Sequence, residues 1–363
     1  MRWILRILLL PVLAVNLLVA LLFVGCAYSP LLPPSTVALL SLAGLAFPFV
    51  LVANVLFIPL WLVLHRRYMW LSVIACLLCL PQIRAFCPIN FDHQEAPEGS
   101  LKLLSYNILS SNLTAANANK ENPMIAYLEG SDADIICLQE FPFSVLKNNA
   151  KTKHLLKAYP YRSYDLSKDN ELEAHALVCL SKYPILSLEK LDFNSTSNGA
   201  AKYRILHEGD TIVVYNCHLQ SYSLDTDNKS TYEGLLTNPK ENFKAEDTKT
   251  LVKKLRDATA KRAAQADIVV ADIRRETSPY VIVCGDFNDS PISYTRRQMA
   301  RHLDDAFVHS GNGPGISYNR NKMYYRIDHI LHSAAFDSYA CTVDRSIKVS
   351  DHYPIACYLE RER

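Results

Sequence analysis

Asp286, Asn288 and Asp289 fall within four positions at the end of Val281-Ile-Val-Cys-Gly-Asp-Phe-Asn-Asp-Ser-Pro291, a run that begins as four apolar strand formers. Asp, Asn, Gly, Ser and Pro close turns because they tolerate left-handed backbone or bond their own main chain. A carboxylate and an amide at the end of a buried strand can also place a proton acceptor and its orienting partner in a site. The pattern recurs along the chain: "LLSYN" ends on Asn107, "DIICLQE" on Glu140, and "TIVVYNCHL" carries Asn216 and His218. "YRIDHIL" holds Asp328 near its start, and "VSDHYP" presents Asp351 and His352. Singly, these residues read as a turn closure, a surface charge or a hydrogen-bonded core histidine. Convergence at one sheet edge accounts for all of them together, because open α/β architectures place sites where strand ends meet loops.

The elements that would position these residues are strand-like runs at Leu101 to Ile108, Asp134 to Gln139, Ala176 to Leu180, Thr211 to Leu219, Tyr280 to Cys284, Ile327 to Leu331, Tyr339 to Val343 and Ile355 to Leu359. Among them, the four apolar residues Val281 to Cys284 form an uninterrupted run that reads as a strand buried on both faces. One long helix is expected over Ala245 to Arg275, after a turn-rich segment from Ser223 to Asn242 that reads as a surface loop. Strands with interspersed helices indicate an α/β or α+β layered domain.

The composition divides the chain. Of 38 basic and 36 acidic residues, only Arg2, Arg6, Arg66, Arg67, Arg84, Asp92 and Glu95 fall in residues 1–97. Residues 98–363 therefore carry 33 basic and 34 acidic residues, a near-neutral mixed surface with no sign of the broad basic face that non-specific DNA binding needs. Apolar runs at 7–27, 36–64 and 69–86 predict about three transmembrane helices, since about 20 apolar residues span the hydrocarbon core. The first run, after Arg2 and Arg6, also has the form of a signal peptide, but two further apolar segments would still hold the chain in the membrane. Arg2, Arg6 and His65-Arg66-Arg67 mark the cytoplasmic side, which predicts a multi-pass protein of the inner (cytoplasmic) membrane with everything after about Phe86 extracytoplasmic. The expected organisation is a transmembrane region over 1–90, a polar linker over 91–99 and a catalytic domain over 100–363. Of the ten cysteines, Cys137, Cys179, Cys217, Cys284 and Cys357 sit in apolar runs and read as small buried hydrophobes.

The ordered set "SYNIL", "CLQE", "ALVCLSKYPI", "YNCHL", "CGDFND", "RIDHIL" and "SDHYP" resembles the endonuclease/exonuclease/phosphatase superfamily, in a membrane-anchored bacterial form, from about Lys102 to Leu359. The resemblance implies a four-layer α/β sandwich, two β-sheets packed face to face with helices outside. It implies a metal, Mg2+ or Mn2+, on Glu140 with Asn107 close by and Asp351 able to contact it. Asp286 and Asn288 would orient and deprotonate the attacking water, His352 would pair with Asp328, and His218, with Asn216 beside it in the motif, would bind the phosphate. Two positions depart from the family pattern: Ala176 stands where glycine is common, and Leu109 where some members carry a second acidic residue.

The physical chemistry agrees with those roles. Magnesium is hard, takes oxygen ligands and keeps several waters, so one or two carboxylates and substrate oxygens suffice. Phosphate-ester hydrolysis needs charge neutralised and a water held in line. The expected activity is hydrolysis of a phosphodiester or phosphomonoester outside the cytoplasm, on a phospholipid headgroup, a small phosphodiester or nucleic acid; no motif points to a protein partner. The competing readings are a catalytically silent membrane-tethered binding or sensor domain, which has no need of the whole polar set, and an extracytoplasmic nuclease.

Overall fold

Leu103 and Leu104 are neighbours in sequence, both are buried, and they belong to different cores. The same split separates Ile135 from Ile136 and Val213 from Val214. Successive side chains of a strand point to opposite faces, so continuous apolar runs require cover on both. A computed structural model of the chain describes residues 2–109, 122–142, 155, 157–166, 175–195, 198–222, 226–238, 244–320 and 323–362. One sheet runs in the order β11 (Phe336–Val343), β12 (Ile355–Arg361), β1 (Leu101–Asn107), β2 (Ile135–Pro142), β4 (His175–Ser181) and β3 (Tyr161–Leu166). The other runs β5 (Ile185–Leu191), β6 (Gly199–His207), β7 (Asp210–His218), β8 (Val281–Asp286), β10 (Asp328–His332) and β9 (Asp304–Asp305). Leu103, Ile135 and Cys137 of the first sheet pack on Tyr203, Val214 and Ile282 of the second.

The outer faces are covered by helices. Met124, Ile125 and Leu128 pack on the first sheet, and Ala266, Val269 and Val270 on the second. The helical elements are α1 (Arg2–Tyr28), α2 (Pro34–Ser41), α3 (Phe47–Leu64), α4 (Met69–Leu78), α5 (Leu80–Phe86), α6 (Pro123–Gly130), α7 (Thr226–Thr237), α8 (Ala245–Ile273), α9 (Tyr294–Met299) and α10 (Ala306–Ser310). With α6 and α8 outside, the domain is the expected α/β sandwich.

All eight strand-like runs are strands to within a few residues, and α8 ends two residues before the expected Arg275. Four further strands, β3, β5, β6 and β9, stand beyond the expected set. β5, "ILSLEKL", lies at a sheet edge, is mostly solvent-facing and carries charges, and β6 is interrupted by Lys202 and Arg204, so neither shows a continuous apolar run. The segment expected to be a loop contains α7, built largely from Asp, Asn, Ser, Thr and Gly; helix α8 beside it supplies the packing that its own propensity does not. Residues 223–225 and 239–242 of that segment lie outside the described residues.

Among the described residues, two N-terminal segments, Leu9–Leu31 and Leu39–Leu64, are long and apolar enough to cross a membrane. A third is reached only if Arg66–Leu78 and Leu80–Phe86, bent by 66° at Cys79, act as one. The bend falls where Pro81 at the start of α5 removes a helical donor. Asn16 ties three helices together, donating to Ser72 Oγ at 2.8 Å and accepting from Trp61 Nε1 at 2.7 Å.

The helical region is docked on the sandwich. Ile292 packs into the helical core with Phe23 and Phe47. The backbone of Gly44 lies so close to Ile292 that a Cβ there would meet its carbonyl oxygen at 1.9 Å, so only glycine fits. Tyr325 Oη donates to the Leu45 carbonyl at 3.0 Å, and the buried Arg326 guanidinium donates to the carbonyls of Ala85 and Pro314. The polar linker expected over 91–99 and Asn90 just before it pack on the domain: Asn90 Nδ2 donates to Gly311 O at 2.6 Å and Gln94 Nε2 to Ser310 O at 3.0 Å.

Candidate active site

Three of the polar residues form one row. In the second sheet His218 pairs directly with Asp286 across parallel β7 and β8, and Asp286 pairs with Asp328 across antiparallel β8 and β10. Directly opposed residues share a face, here the face turned towards the first sheet. The close approach of β7 and β8 beside this row demands a glycine: Gly285 has φ +130°, and a Cβ on it would meet Cys217 O at 2.0 Å.

Asn107 and Glu140 arrive from the first sheet. Strict alternation would send Glu140 to the outer, helix-covered face and Phe141 between the sheets. A bulge in β2, where the register against β4 shifts between Leu138 and Phe141, inserts one residue and reverses that phase. Phe141 joins the outer core, and Glu140, at φ +55°, turns its carboxylate into the site. A left-handed glutamate is strained, which is typical of residues held in place by function. Ala176, the departure from the family's glycine, sits opposite Phe141 on the far side of this bulge.

The carboxylate of Asp286 is almost completely enclosed, at 1% exposure. Its Oδ2 accepts from Asn107 Nδ2 at 3.0 Å and Asn288 Nδ2 at 3.1 Å, and its Oδ1 accepts from the Asn288 backbone N–H at 2.8 Å. Asn288 is itself left-handed, at φ +52°, a conformation asparagine tolerates, and its amide also donates to Leu219 O at 2.9 Å. His352 Nε2 stands 3.7 Å and His218 Nε2 3.8 Å from Asp286 Oδ2. Burial, reinforced by the Asp328 charge and opposed by both imidazoles and the Asn107 amide, pushes Asp286 up to about 6. That places a carboxyl near neutrality, where a proton acceptor is most useful.

His352 Nδ1 lies 2.9 Å from Asp328 Oδ2. The backbone N–H of Asp328 donates to Ser317 Oγ at 3.1 Å, and that of His352 to Ser350 Oγ at 3.2 Å. Burial disfavours the imidazolium, but the carboxylates of Asp328 and Asp286 outweigh it and lift His352 to about 10. Asp286, Asp328 and His352 offer ligand atoms within 4.8 Å of one another, close enough for a divalent ion. Since Asp328 Oδ2 is engaged by His352, the arrangement reads better as a proton-handling unit. The oxygens of Glu140, 3.2 Å from Asn107 Nδ2 and 3.6 Å from His218 Nε2, and of Asp351 on the same cleft are the harder donor set, which fits Mg2+ or Mn2+.

These residues open onto a cleft of about 260 Å³ lined by Glu140, His218, Asp286, Asn288, Asp351 and His352. Asn107 and Asp328 stand behind it. Asn216 does not reach the cleft: it is fully buried between the sheets, donates to Leu138 O at 3.0 Å and Val178 O at 3.2 Å, and accepts from Gln139 Nε2 at 2.7 Å. One position of alternation separates it from Cys217 and two from His218, so it shares the inner face but lies deeper. The rest of the cleft wall is Ser221, Tyr222, Lys229, Tyr318, Met323, Tyr325 and Ile327, of which the first five belong to no strand-end motif. Only "YRIDHIL" carried a hint, because Tyr325 and Ile327 flank Asp328 in it.

Comparison with known proteins agrees with this geometry. Residues 104–352 match the model of the Endonuclease/Exonuclease/phosphatase family, and residues 6–86 match a domain of unknown function (DUF8431). Among solved structures, an endonuclease/exonuclease/phosphatase family protein from Bacteroides thetaiotaomicron has 15% identity over 74% of this chain and 100% of its own, with a TM-score of 0.53. The endonuclease/exonuclease/phosphatase from Beutenbergia cavernae has 16% identity over 72% of each chain, at 0.51. The human Nocturnin catalytic domain with bound sulfate has 16% identity over 72% of this chain and 95% of its own, also at 0.51. Such identities establish likeness of fold. A search of curated proteins finds no match. The family match across the sandwich, together with the Asp286, Asp328 and His352 cluster, makes this chain a member of the endonuclease/exonuclease/phosphatase family and a hydrolase of phosphate-ester bonds.

Proposed function

We propose that the chain is a membrane-anchored phosphoesterase that hydrolyses the phosphate ester of a lipid headgroup at the extracytoplasmic surface. The observation that carries the chemistry is the enclosed Asp286 carboxyl, raised to about 6 and held by Asn107 and Asn288. Asp286 takes the proton of the attacking water. Asn288 fixes the carboxylate without adding charge. His352, kept protonated by Asp328, directs Nε2 at the phosphate, and His218 donates to it from the other side. Glu140, Asn107 and Asp351 are the residues that would hold Mg2+ or Mn2+, which when bound neutralises phosphate charge.

The membrane reading rests on charge and on contact. Arg2, Arg6 and His65 to Arg67 assign one end of the helical region to the cytoplasm. The sandwich meets the segments bearing Tyr28, Leu45 and Ala85, which lie at the other ends of those helices. Tyr222 and Tyr325 extend from the cleft to that junction: Tyr222 shares a small depression with Ser41, Leu42 and Leu45, and Tyr325 bonds Leu45. A cleft whose aromatic wall continues into apolar helix ends suits an amphipathic substrate. The near-neutral surface of residues 98–363 weighs against nucleic acid.

The test is full-length protein in detergent micelles with Mg2+, assayed against phospholipids, small phosphodiesters, phosphomonoesters and DNA. Lipid phosphoesters should be the best substrates. A preference for DNA would overturn the substrate, and hydrolysis of none would support a silent binding domain.

A further inference from the structure

A second constellation lies away from the cleft, where the segment leaving the helical region crosses the sandwich. His93 belongs to that segment, His309 to the last turn of α10, and Asp337 to edge strand β11. His93 Nε2 is 3.3 Å from Asp337 Oδ2, and His309 Nδ1 is 3.4 Å from Asp337 Oδ1. One ligand atom from each residue falls within 4.8 Å of the other two. None of the three lines the active-site cleft.

The spacing is informative. An ion with nitrogen and oxygen ligands at about 2.0–2.2 Å in a tetrahedron sets neighbouring donor atoms about 3.3–3.6 Å apart. Each of the two contacts above, one to each oxygen of Asp337, has that length, and both are longer than the usual ion-paired hydrogen bond of about 2.7–2.9 Å. Ser338 Oγ, also 3.4 Å from His309 Nδ1, is no closer. Tyr339 Oη donates to Asp337 Oδ2 at 3.1 Å and to Glu360 Oε2 at 3.2 Å, the outer hydrogen bonding that orients a metal-binding carboxylate. The side chains are about one-third exposed, at 32%, 43% and 29%, so a fourth position is open to water.

The backbone is bent to make this convergence. His93 has φ +60°, a left-handed conformation uncommon outside glycine, and its carbonyl accepts from the N–H of Ala340 at 2.7 Å. Ala340 is left-handed too, at φ +47°, within the register irregularity between Tyr339 and Thr342. Two strained residues bonded to each other hold the His93 ring against Tyr339 and His309, with ring centroids 4.9 and 5.0 Å away.

We propose that His93, His309 and Asp337 form a transition-metal site for an ion of the Zn2+ class, which fastens the segment joining the helical region to the sandwich. Two imidazoles and one carboxylate suit Zn2+ and its neighbours rather than Mg2+, which takes oxygen donors. The site is thus chemically separate from the oxygen donors of Glu140, Asn107 and Asp351. Binding links the segment that leaves the helices to α10 and to the sheet edge, and so fixes how the cleft sits over the helix ends.

Full-length protein in detergent, stripped with chelator, is dialysed to equilibrium against Zn2+ in the presence of excess Mg2+. His309→Gln, at the most exposed of the three, and separately Asp337→Asn should each bind one equivalent fewer than the parent chain, whereas Glu140→Gln should keep that equivalent. Zn2+ should also slow proteolysis within residues 94–100 of the parent chain, and not in His309→Gln. Equal Zn2+ binding by the parent chain and both variants, or Zn2+ protection that survives His309→Gln, would overturn the site and show a hydrogen-bonded cluster only.

Discussion

Asp286 and Asp328 face each other across β8 and β10, and both address the His352 imidazole, Asp328 at Nδ1 from 2.9 Å and Asp286 at Nε2 from 3.7 Å. Two carboxylates directly opposed would repel. The imidazolium between them removes that conflict, and it couples the protonation of Asp286 to the Asp328–His352 pair.

Asp286→Asn keeps the size of the side chain and, with its amide oxygen in the Oδ2 position, the bonds from Asn107 and Asn288, while removing its ability to accept a proton. Turnover should fall by about 100-fold or more, with little change in melting temperature. His352→Ala and Asp328→Asn should each impair turnover, and the double variant should lose much less than the product of the two losses, because the pair acts as a unit. Multiplicative losses would separate Asp328 from the imidazole.

Glu140 bears on the metal alone. Chelation should abolish hydrolysis, and Mg2+ or Mn2+ should restore it. Glu140→Gln should raise the Mg2+ concentration needed for half-maximal rate, because an amide oxygen carries no net charge for a divalent ion. An unchanged Mg2+ dependence would remove Glu140 from the ligand set.

Asn216 separates folding from binding. Asn216→Leu removes the Asn216 bonds to the Leu138 and Val178 carbonyls and to Gln139 Nε2 between the sheets. The expected cost is about 1–3 kcal/mol of stability in denaturant titration. KM of the remaining folded enzyme should hold, since Asn216 does not reach the cleft; a KM effect without loss of stability would return it to substrate binding.

His329 gives the chain an acid limit. Burial, with Arg326 and Arg296 adding to it and Asp305 opposing, holds its folded form down to about 4 against an ordinary value near 6.5. The unfolded chain therefore binds the extra proton between those two values. Stability is unaffected above pH 6.5, declines as pH falls from about 6.5 to 4, and by then has lost about 3 kcal/mol from this group. His329→Gln should flatten that part of the stability profile in detergent; an unchanged slope would assign the loss to other groups.

The sequence by itself determined the elements and the inventory of the site. A continuous run such as VIVC demands cover on both faces, so a layered α/β domain was legible in the residues and the two-sheet sandwich through the family resemblance, as were Asp286, Glu140, His218, Asp328 and His352, because polar residues at the ends of such runs stand out. β5 and β6 were not legible: their charged positions are stabilised by cross-strand partners and by Asp272 and Glu276 at the end of α8, contacts that no local window contains. Asn216 and His218 look alike in "YNCHL" and share a face, and depth between the sheets alone decides that one fastens the core and the other meets the cleft. Glu140 reaches the site through a one-residue bulge, which resets alternation without leaving a mark in residue type. Tyr222, Lys229, Tyr325 and the His93 cluster come from segments far apart in sequence, and their proximity exists only once the helical region, its connecting segment and the sandwich are packed together.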